Sequence, residues 1–149
     1  MSLIWHYTSV ENYNHINRDG YIKVFSSDKS YKLKPVIWFT KSSDWDKKLP
    51  KLDSKSLADD RTIGYVRIGI ESSDTLSSWY IYKNEHNISS LIYQNIEKSG
   101  LNFGDIKDWY ISFENIKSKY WKAVEKFDGK KWNTIINTTN KKAIKSLIL

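Results

Sequence analysis

The strongest constraint on the fold is that apolar residues recur in short runs, many of which alternate with polar residues. In residues 61–71, Val66, Ile68 and Ile70 would point to one side of a strand, opposite Tyr65 and Arg67. Comparable runs predict further strands at residues 3–7, 21–25, 36–40, 79–82, 109–116, 120–127 and 131–136. Together the runs predict an α+β fold with about seven strands in two mostly antiparallel sheets.

Two or three short helices complete the predicted fold. Thr8 and Glu11 have the spacing of a capping box, so we expect a helix that begins after Thr8 and ends at Gly20. Residues 87–99 predict a second helix with an apolar face made of Ile88, Leu91, Ile92 and Ile96. Further short helices are expected at residues 45–49 and from residue 138.

The length and composition favour one globular domain that spans residues 1–149. The chain has 40% hydrophobic residues, which is enough to build a core at this length. It has no cysteine, which excludes disulfides and thiolate metal sites. We also see no signal peptide and no apolar run of membrane-spanning length, so a cytoplasmic protein is expected.

The chain is basic, with a formal net charge of +7 that is carried mostly by lysine. Such a charge suits a polyanionic partner, for example a nucleic acid or a phosphate-rich cofactor. The alternative is that the lysines form an ordinary solvated surface.

The segment Trp5-His6-Tyr7-Thr8 places one of three histidines at the end of a strand, just before a helix. An imidazole there could hold a ribose hydroxyl or act as an acid or base. The free N–H groups of the following helix would favour a phosphate nearby. The alternative is a partly buried histidine that packs on aromatic neighbours.

Two later segments carry groups that could act together with His6. Trp38 precedes Phe39 and Thr40, and a ring of this kind can stack on nicotinamide or a nucleobase, although the segment could equally be a core strand. Glu114 follows Tyr110 and Ser112 at strand spacing, so these three side chains could line a cleft or face solvent.

Glu125 is a competing carboxylate, but its strand leads straight into the hairpin signal Asp128-Gly129. No metal site is predicted, because the three histidines lack the spacing of metal ligands. The usual nucleotide-phosphate loops are also absent from the sequence.

The order of these segments resembles the ADP-ribosyltransferase superfamily. The resemblance rests on His6-Tyr7-Thr8 before a helix, on residues 36–43 around Trp38, and on a late strand with Glu114. It is closest to the class with a His–Tyr–Glu constellation, which includes diphtheria-toxin-like enzymes, poly-ADP-ribose polymerases and DNA-modifying toxins. Small bacterial and phage proteins that begin with a His-Tyr-Thr strand also look similar.

The resemblance implies a small split α+β fold that binds NAD, as substrate, between two sheets. Glu114 and His6 would be catalytic: His6 would hold the nicotinamide ribose, and Glu114 would stabilise the positive charge that develops on it. The remaining NAD contacts implied by the resemblance are Tyr7, Thr8, Trp38, Thr40 and Arg67. Trp38 stands where the family often has a stacking tyrosine, and Pro35-Val36 replaces the glycine that commonly precedes that strand.

Three functions follow as hypotheses. The first is an enzyme that transfers ADP-ribose from NAD to a nucleic acid or protein, or that hydrolyses NAD. The second is a module that binds NAD, ADP-ribose or another nucleotide without turnover. The third is an interaction or inhibitor protein of a phage or mobile element that acts by contact through exposed aromatic residues. The sequence leaves open the acceptor and the oligomeric state.

Overall fold

The computed structural model describes residues 3–24, 34–43, 65–72, 76–99 and 105–137. Its strands are β1 (Leu3–Ser9), β2 (Tyr21–Ile22), β3 (Ile37–Thr40), β4 (Tyr65–Glu71), β5 (Ser77–Ser78), β6 (Trp109–Ser112), β7 (Ile116–Lys117), β8 (Trp121–Phe127) and β9 (Trp132–Asn137). Its α-helices are α1 (Val10–Asp19), α2 (Trp79–Glu85) and α3 (Ser90–Ser99). The helices predicted at residues 45–49 and from residue 138, and the strand prediction at Phe25, lie outside the described residues.

Seven strands form one antiparallel sheet in the order β5-β6-β3-β1-β4-β8-β9, and β2 pairs with β7 in a separate two-stranded sheet. The predicted α+β class with antiparallel sheets is thereby confirmed. β1 lies in the middle of the large sheet, between β3 and β4. Of the helices in the described ranges, none combines the length and apolar character that crossing a bilayer requires.

The large sheet has two faces, which strand alternation assigns to different residues. On the first, which we call the His6 face, His6 of β1 lies opposite Ile68 of β4. On the second, the Arg67 face, Tyr7 lies opposite Arg67 and Trp5 lies opposite Gly69. β4 is buried on both faces, which its single alternating pattern did not predict.

The helix α1 covers the His6 face through Val10 and Tyr13, which pack into a core that includes Ile4, Ile68, Phe39 and Val124. Its end at Gly20 is confirmed, since Gly20 has a left-handed φ of 82° and closes the helix. Its beginning differs from the prediction. Ser9, and not Thr8, is the N-cap, because β1 continues through Ser9 and the Ser9 hydroxyl accepts a bond from the Asn12 N–H.

The prediction for residues 79–82 was wrong, because Trp79–Glu85 is the helix α2. Helical spacing carries Trp79 and Tyr82 onto one side, where both pack in a second core with Trp109 and Ile111 on the Arg67 face. The predicted helix at 87–99 exists but begins at Ser90. Leu91, expected on its apolar face, is 69% exposed.

The strand predicted at residues 109–116 is interrupted. β6 ends at Ser112, whose hydroxyl donates to the Glu114 carbonyl at 2.7 Å and accepts from the Glu114 N–H at 3.2 Å. This local turn redirects the chain, so that Ile116–Lys117 pairs with β2 and not with the large sheet. Glu114 therefore follows β6 and does not lie within it.

The predicted hairpin between β8 and β9 is present, with a loop of four residues instead of two. Oδ1 of Asp128 accepts bonds from the backbone N–H groups of Lys130 and Lys131. These bonds, with a further bond from Asn133, lower the pKa of Asp128 to about 2. Gly129 supplies the positive φ of 99° that the turn needs.

Candidate functional site

The three segments that the sequence singled out form neighbouring strands. β1 carries His6, β3 carries Trp38, and β6 leads directly to Glu114; in the sheet these strands are consecutive, in the order β6-β3-β1. Residues separated by much of the chain are thus brought to one half of the sheet. Their side chains, however, do not all share a face.

His6 is fixed to the next strand by a hydrogen bond from its Nδ1 to the carbonyl oxygen of Trp38, at 2.9 Å. A carbonyl oxygen only accepts, so Nδ1 carries the proton and Nε2 of the neutral ring is an acceptor. Burial lowers the pKa of His6 below its ordinary value of 6.5, and the bond to Trp38 opposes this in part. His6 is therefore neutral at pH 7 and presents a basic nitrogen.

The ring beside His6 is Phe39, not Trp38. The centroids of His6 and Phe39 are 5.8 Å apart, and Phe39 is opposite Tyr110 on β6. His6, Phe39 and Tyr110 therefore form a row across three strands on the His6 face. Phe39 is only 2% exposed, whereas His6 and Tyr110 are half-buried and remain in contact with solvent.

Trp38 points to the opposite face of the sheet. It packs edge-on against Trp79 at 5.0 Å and against Trp109 at 5.8 Å, within the core beneath α2. This differs from the expected position of a ring that clamps nicotinamide beside His6. Strict alternation on β3 gives the physical reason, since successive side chains of a strand point to opposite sides.

Three of the other proposed NAD contacts, Tyr7, Thr40 and Arg67, also lie on the Arg67 face. The Tyr7 hydroxyl donates to the carbonyl oxygen of Ser42 at 2.6 Å. Thr40 is 2% exposed and lies opposite Trp5. Thr8, by contrast, shares the His6 face and is half-buried.

Arg67, expected among the NAD contacts, is engaged inside the protein. Its guanidinium lies between the rings of Trp5 and Trp132, at 4.2 and 4.4 Å, and Nε donates to Oε1 of Glu125 at 2.7 Å. Nη1 donates to the carbonyl oxygen of Ser43 at 2.7 Å. With Arg67 8% exposed, the arrangement stabilises the sheet and offers no accessible guanidinium on the side of His6.

The competing carboxylates have different environments. Glu125 is the partner of Arg67, at 2.6 Å from its Nη2, which gives it a structural role. Glu114 is exposed just beyond β6. The next residue, Asn115, accepts a bond from the Val24 N–H at 2.9 Å, which ties this turn to the chain that follows β2.

Phe39 gained importance only from the structure, whereas Tyr110 was predicted to line a cleft with Ser112 and Glu114 and is found in one row with Phe39 and His6. The sequence partly predicted this, because strand alternation places Trp38 and Phe39 on opposite faces. Which of the two shares a face with His6 depends on the register between β1 and β3, where Trp5 lies opposite Thr40. Local alternation does not reveal that register, because residues 10–36 separate the two strands.

No group of three or more potential metal ligands occurs within the described ranges. No protein-family model matches the chain, and no curated protein is significantly similar to it in sequence. The candidate site is therefore defined by its geometry alone: a neutral His6, a half-buried Tyr110 on the same face, and an exposed Glu114 just beyond the end of β6.

Proposed function

We propose that the protein is an NAD-dependent ADP-ribosyltransferase with its reaction centre on the His6 face. The observation that carries the proposal is the adjacency of β1, β3 and β6, which brings His6 and the Glu114 turn to one half of the sheet. This order agrees with the resemblance of the sequence to the His–Tyr–Glu class. In the finer form of this proposal, the large sheet and the β2–β7 pair are the two sheets of a split NAD-binding fold.

His6 is suited to hold a ribose. Its Nδ1 is occupied by the Trp38 carbonyl, which fixes the ring and leaves Nε2 to accept a bond from a ribose hydroxyl. Thr8 lies on the same face, two residues nearer the helix α1. Tyr110 takes the stacking role first considered for Trp38, because Tyr110 is the accessible ring in the row with His6.

Glu114 supplies the negative charge that this reaction needs. The bond between nicotinamide and ribose C1′ breaks, its electron pair leaves with the neutral nicotinamide, and positive charge develops on the ribose as in glycoside hydrolysis. A carboxylate next to that centre stabilises the charge. The acceptor, or water, then bonds to C1′ and releases its proton to Glu114 or to solvent.

The test is nicotinamide release from NAD by the purified protein, alone and with DNA, RNA or cell lysate. We expect release that Glu114→Gln lowers about 10²–10³-fold, the usual effect of removing one charge-stabilising group. Glu71→Gln, at the far end of β4, is the matched control and should leave release unchanged. Equal loss in both variants, or undiminished release by Glu114→Gln, would refute the role of Glu114.

A second function, nucleotide binding without turnover, is favoured by one observation. The Glu114 carboxylate makes no hydrogen bond or ion pair that we find among the described residues, and electrostatic catalysis depends on a preorganised group. Under this alternative, calorimetry detects NAD binding that His6→Ala weakens, while no nicotinamide is released under any condition. The calorimetric test needs no acceptor and does not depend on the oligomeric state.

A further inference from the structure

A cleft of about 360 Å³ lies at the β5 edge of the large sheet, and neither His6 nor Glu114 lines it. It runs between β5, the end of α2 and the residue that follows β6. Such a volume lies at the small end of the range for ligand sites. Its lining combines flat rings, apolar side chains and both signs of charge: Lys34, Leu76, Ser77, Ser78, Ile81, Tyr82, Glu85, His86 and Phe113.

One wall of the cleft is aromatic. The Tyr82 and His86 rings are 4.3 Å apart, one helical turn from each other, and Phe113 lies 5.2 Å from Tyr82. Tyr82 also packs against Trp79, with ring centroids 6.1 Å apart. Because Trp79 is 1% exposed, this contact joins the wall to the core. An aromatic wall beside open space suits a flat ring that can stack on it.

The polar groups of the cleft define the rest of a ligand. Lys34 is exposed and forms no ion pair within the described residues, so its ammonium is available to an anion. Glu85 is also exposed and can accept bonds from an N–H group. The hydroxyls of Ser77 and Ser78 can serve as donors or acceptors.

From these features we propose that the cleft binds a nucleotide whose base carries an exocyclic amine. The base stacks against Tyr82 and His86, its amine donates to Glu85, and its phosphate contacts Lys34. The ligand is a free nucleotide or one nucleotide of a single-stranded nucleic acid, since both present the same base and phosphate. The net charge of +7 favours the single-stranded nucleic acid. The proposal does not rest on turnover of NAD, because neither His6 nor Glu114 lines the cleft.

The test is a titration of the ¹⁵N-labelled protein with AMP, followed by chemical-shift changes. We expect saturable shifts confined to residues 34, 76–86 and 113, with adenosine and UMP binding more weakly than AMP. Lys34→Gln should remove the preference for AMP over adenosine, because it removes the cation that contacts the phosphate. Lys98→Gln, an exposed lysine on α3, should keep that preference.

The aromatic contact is tested with His86→Ala, which should lower the affinity for AMP about fivefold or more. His15→Ala is the control, because His15 is exposed on α1 and contacts Arg18 outside the cleft. A His6→Ala protein should bind AMP in the cleft as the native protein does. Loss in that variant would place the binding at His6 and overturn the proposal.

A short oligoadenylate distinguishes the two sources. It should shift the same residues as AMP with higher affinity, and that affinity should fall as salt rises. Tighter binding of AMP than of the oligoadenylate would overturn the assignment to a strand. Absence of saturable shifts in residues 76–86 with AMP at millimolar concentration would overturn the whole proposal.

Discussion

Arg67 and Glu125, from neighbouring strands β4 and β8, form an ion pair through both Nε and Nη2 of the guanidinium. The two side chains are 9% and 19% exposed, and the guanidinium lies between two tryptophan rings. Desolvation makes an ion pair of this kind sensitive to the loss of either charge.

We expect Glu125→Gln to lower the free energy of unfolding by about 3 kcal/mol, because it leaves a buried guanidinium without its counter-charge. Chemical denaturation of the native and variant proteins measures the loss. Glu71→Gln should change stability by less than about 0.5 kcal/mol. Equal stability of the Glu125→Gln protein would mean that the pair contributes nothing beyond packing.

His6 should make stability depend on pH. Its pKa is lowered from the ordinary 6.5, chiefly by burial. As the pH falls below 6.5, the unfolded chain therefore binds a proton at His6 that the folded protein does not bind. Its contribution is thus fully present above pH 6.5 and declines as the pH falls toward the lowered value. In thermal melts from about pH 8 to about pH 5, the free energy of unfolding should change by up to about 1.4 kcal/mol per pH unit.

The matched variant for this measurement is His6→Asn, whose amide can still donate to the Trp38 carbonyl. It should have a flatter dependence of Tm on pH than the native protein. His15→Asn, on the exposed side of α1, should retain the native slope. A native slope in the His6→Asn protein would assign the dependence to other groups.

Gly69 permits a close approach of Trp5 to the sheet. A Cβ at position 69 would lie 2.8 Å from the Trp5 ring, and that ring also stacks on Arg67. We expect Gly69→Ala to cost about 1–3 kcal/mol of stability through overpacking. Denaturation of Gly69→Ala in the native and Trp5→Phe backgrounds should reveal a smaller cost where the ring is smaller; additive costs would exclude the contact as the cause.

Lys83 and Glu97 join α2 to α3 through a nearly buried ion pair at 2.8 Å, with side chains 11% and 10% exposed. Lys83→Met should lower stability by about 3 kcal/mol, since Glu97 would keep an unpaired charge in a desolvated place. Calorimetric melting measures it. Lys98→Met, one residue beyond Glu97 and exposed, should have a small effect. A stable Lys83→Met protein would indicate that Glu97 finds water or another donor.

The sequence predicted the strands with clear alternation, the helix α1 and its glycine end, because these depend on local pattern and cap chemistry. It failed at Trp79, where an aromatic run suited a strand but tertiary burial of Trp79 and Tyr82 stabilises a helix. It also continued β6 through Glu114, because alternation contains no sign of the Ser112 side-chain turn.

The candidate site was predicted as a set of segments, not as a set of side chains. The segments do meet, since β1, β3 and β6 are neighbours. The assignment of Trp38 and Arg67 to that site depended on which face each side chain takes. That is decided by strand register and by partners such as Glu125, neither of which is local in sequence.

The central position of β1 has a consequence for synthesis on the ribosome. β1 is made before its two partners, which come from residues 37–40 and 65–71, and the sheet continues into strands made later still. Until those strands appear, both hydrogen-bonding edges of β1 are open, next to Trp5 and Tyr7. Contacts of such long range slow folding and expose the nascent chain to aggregation. The row of His6, Phe39 and Tyr110 therefore cannot form until residue 110 has been made.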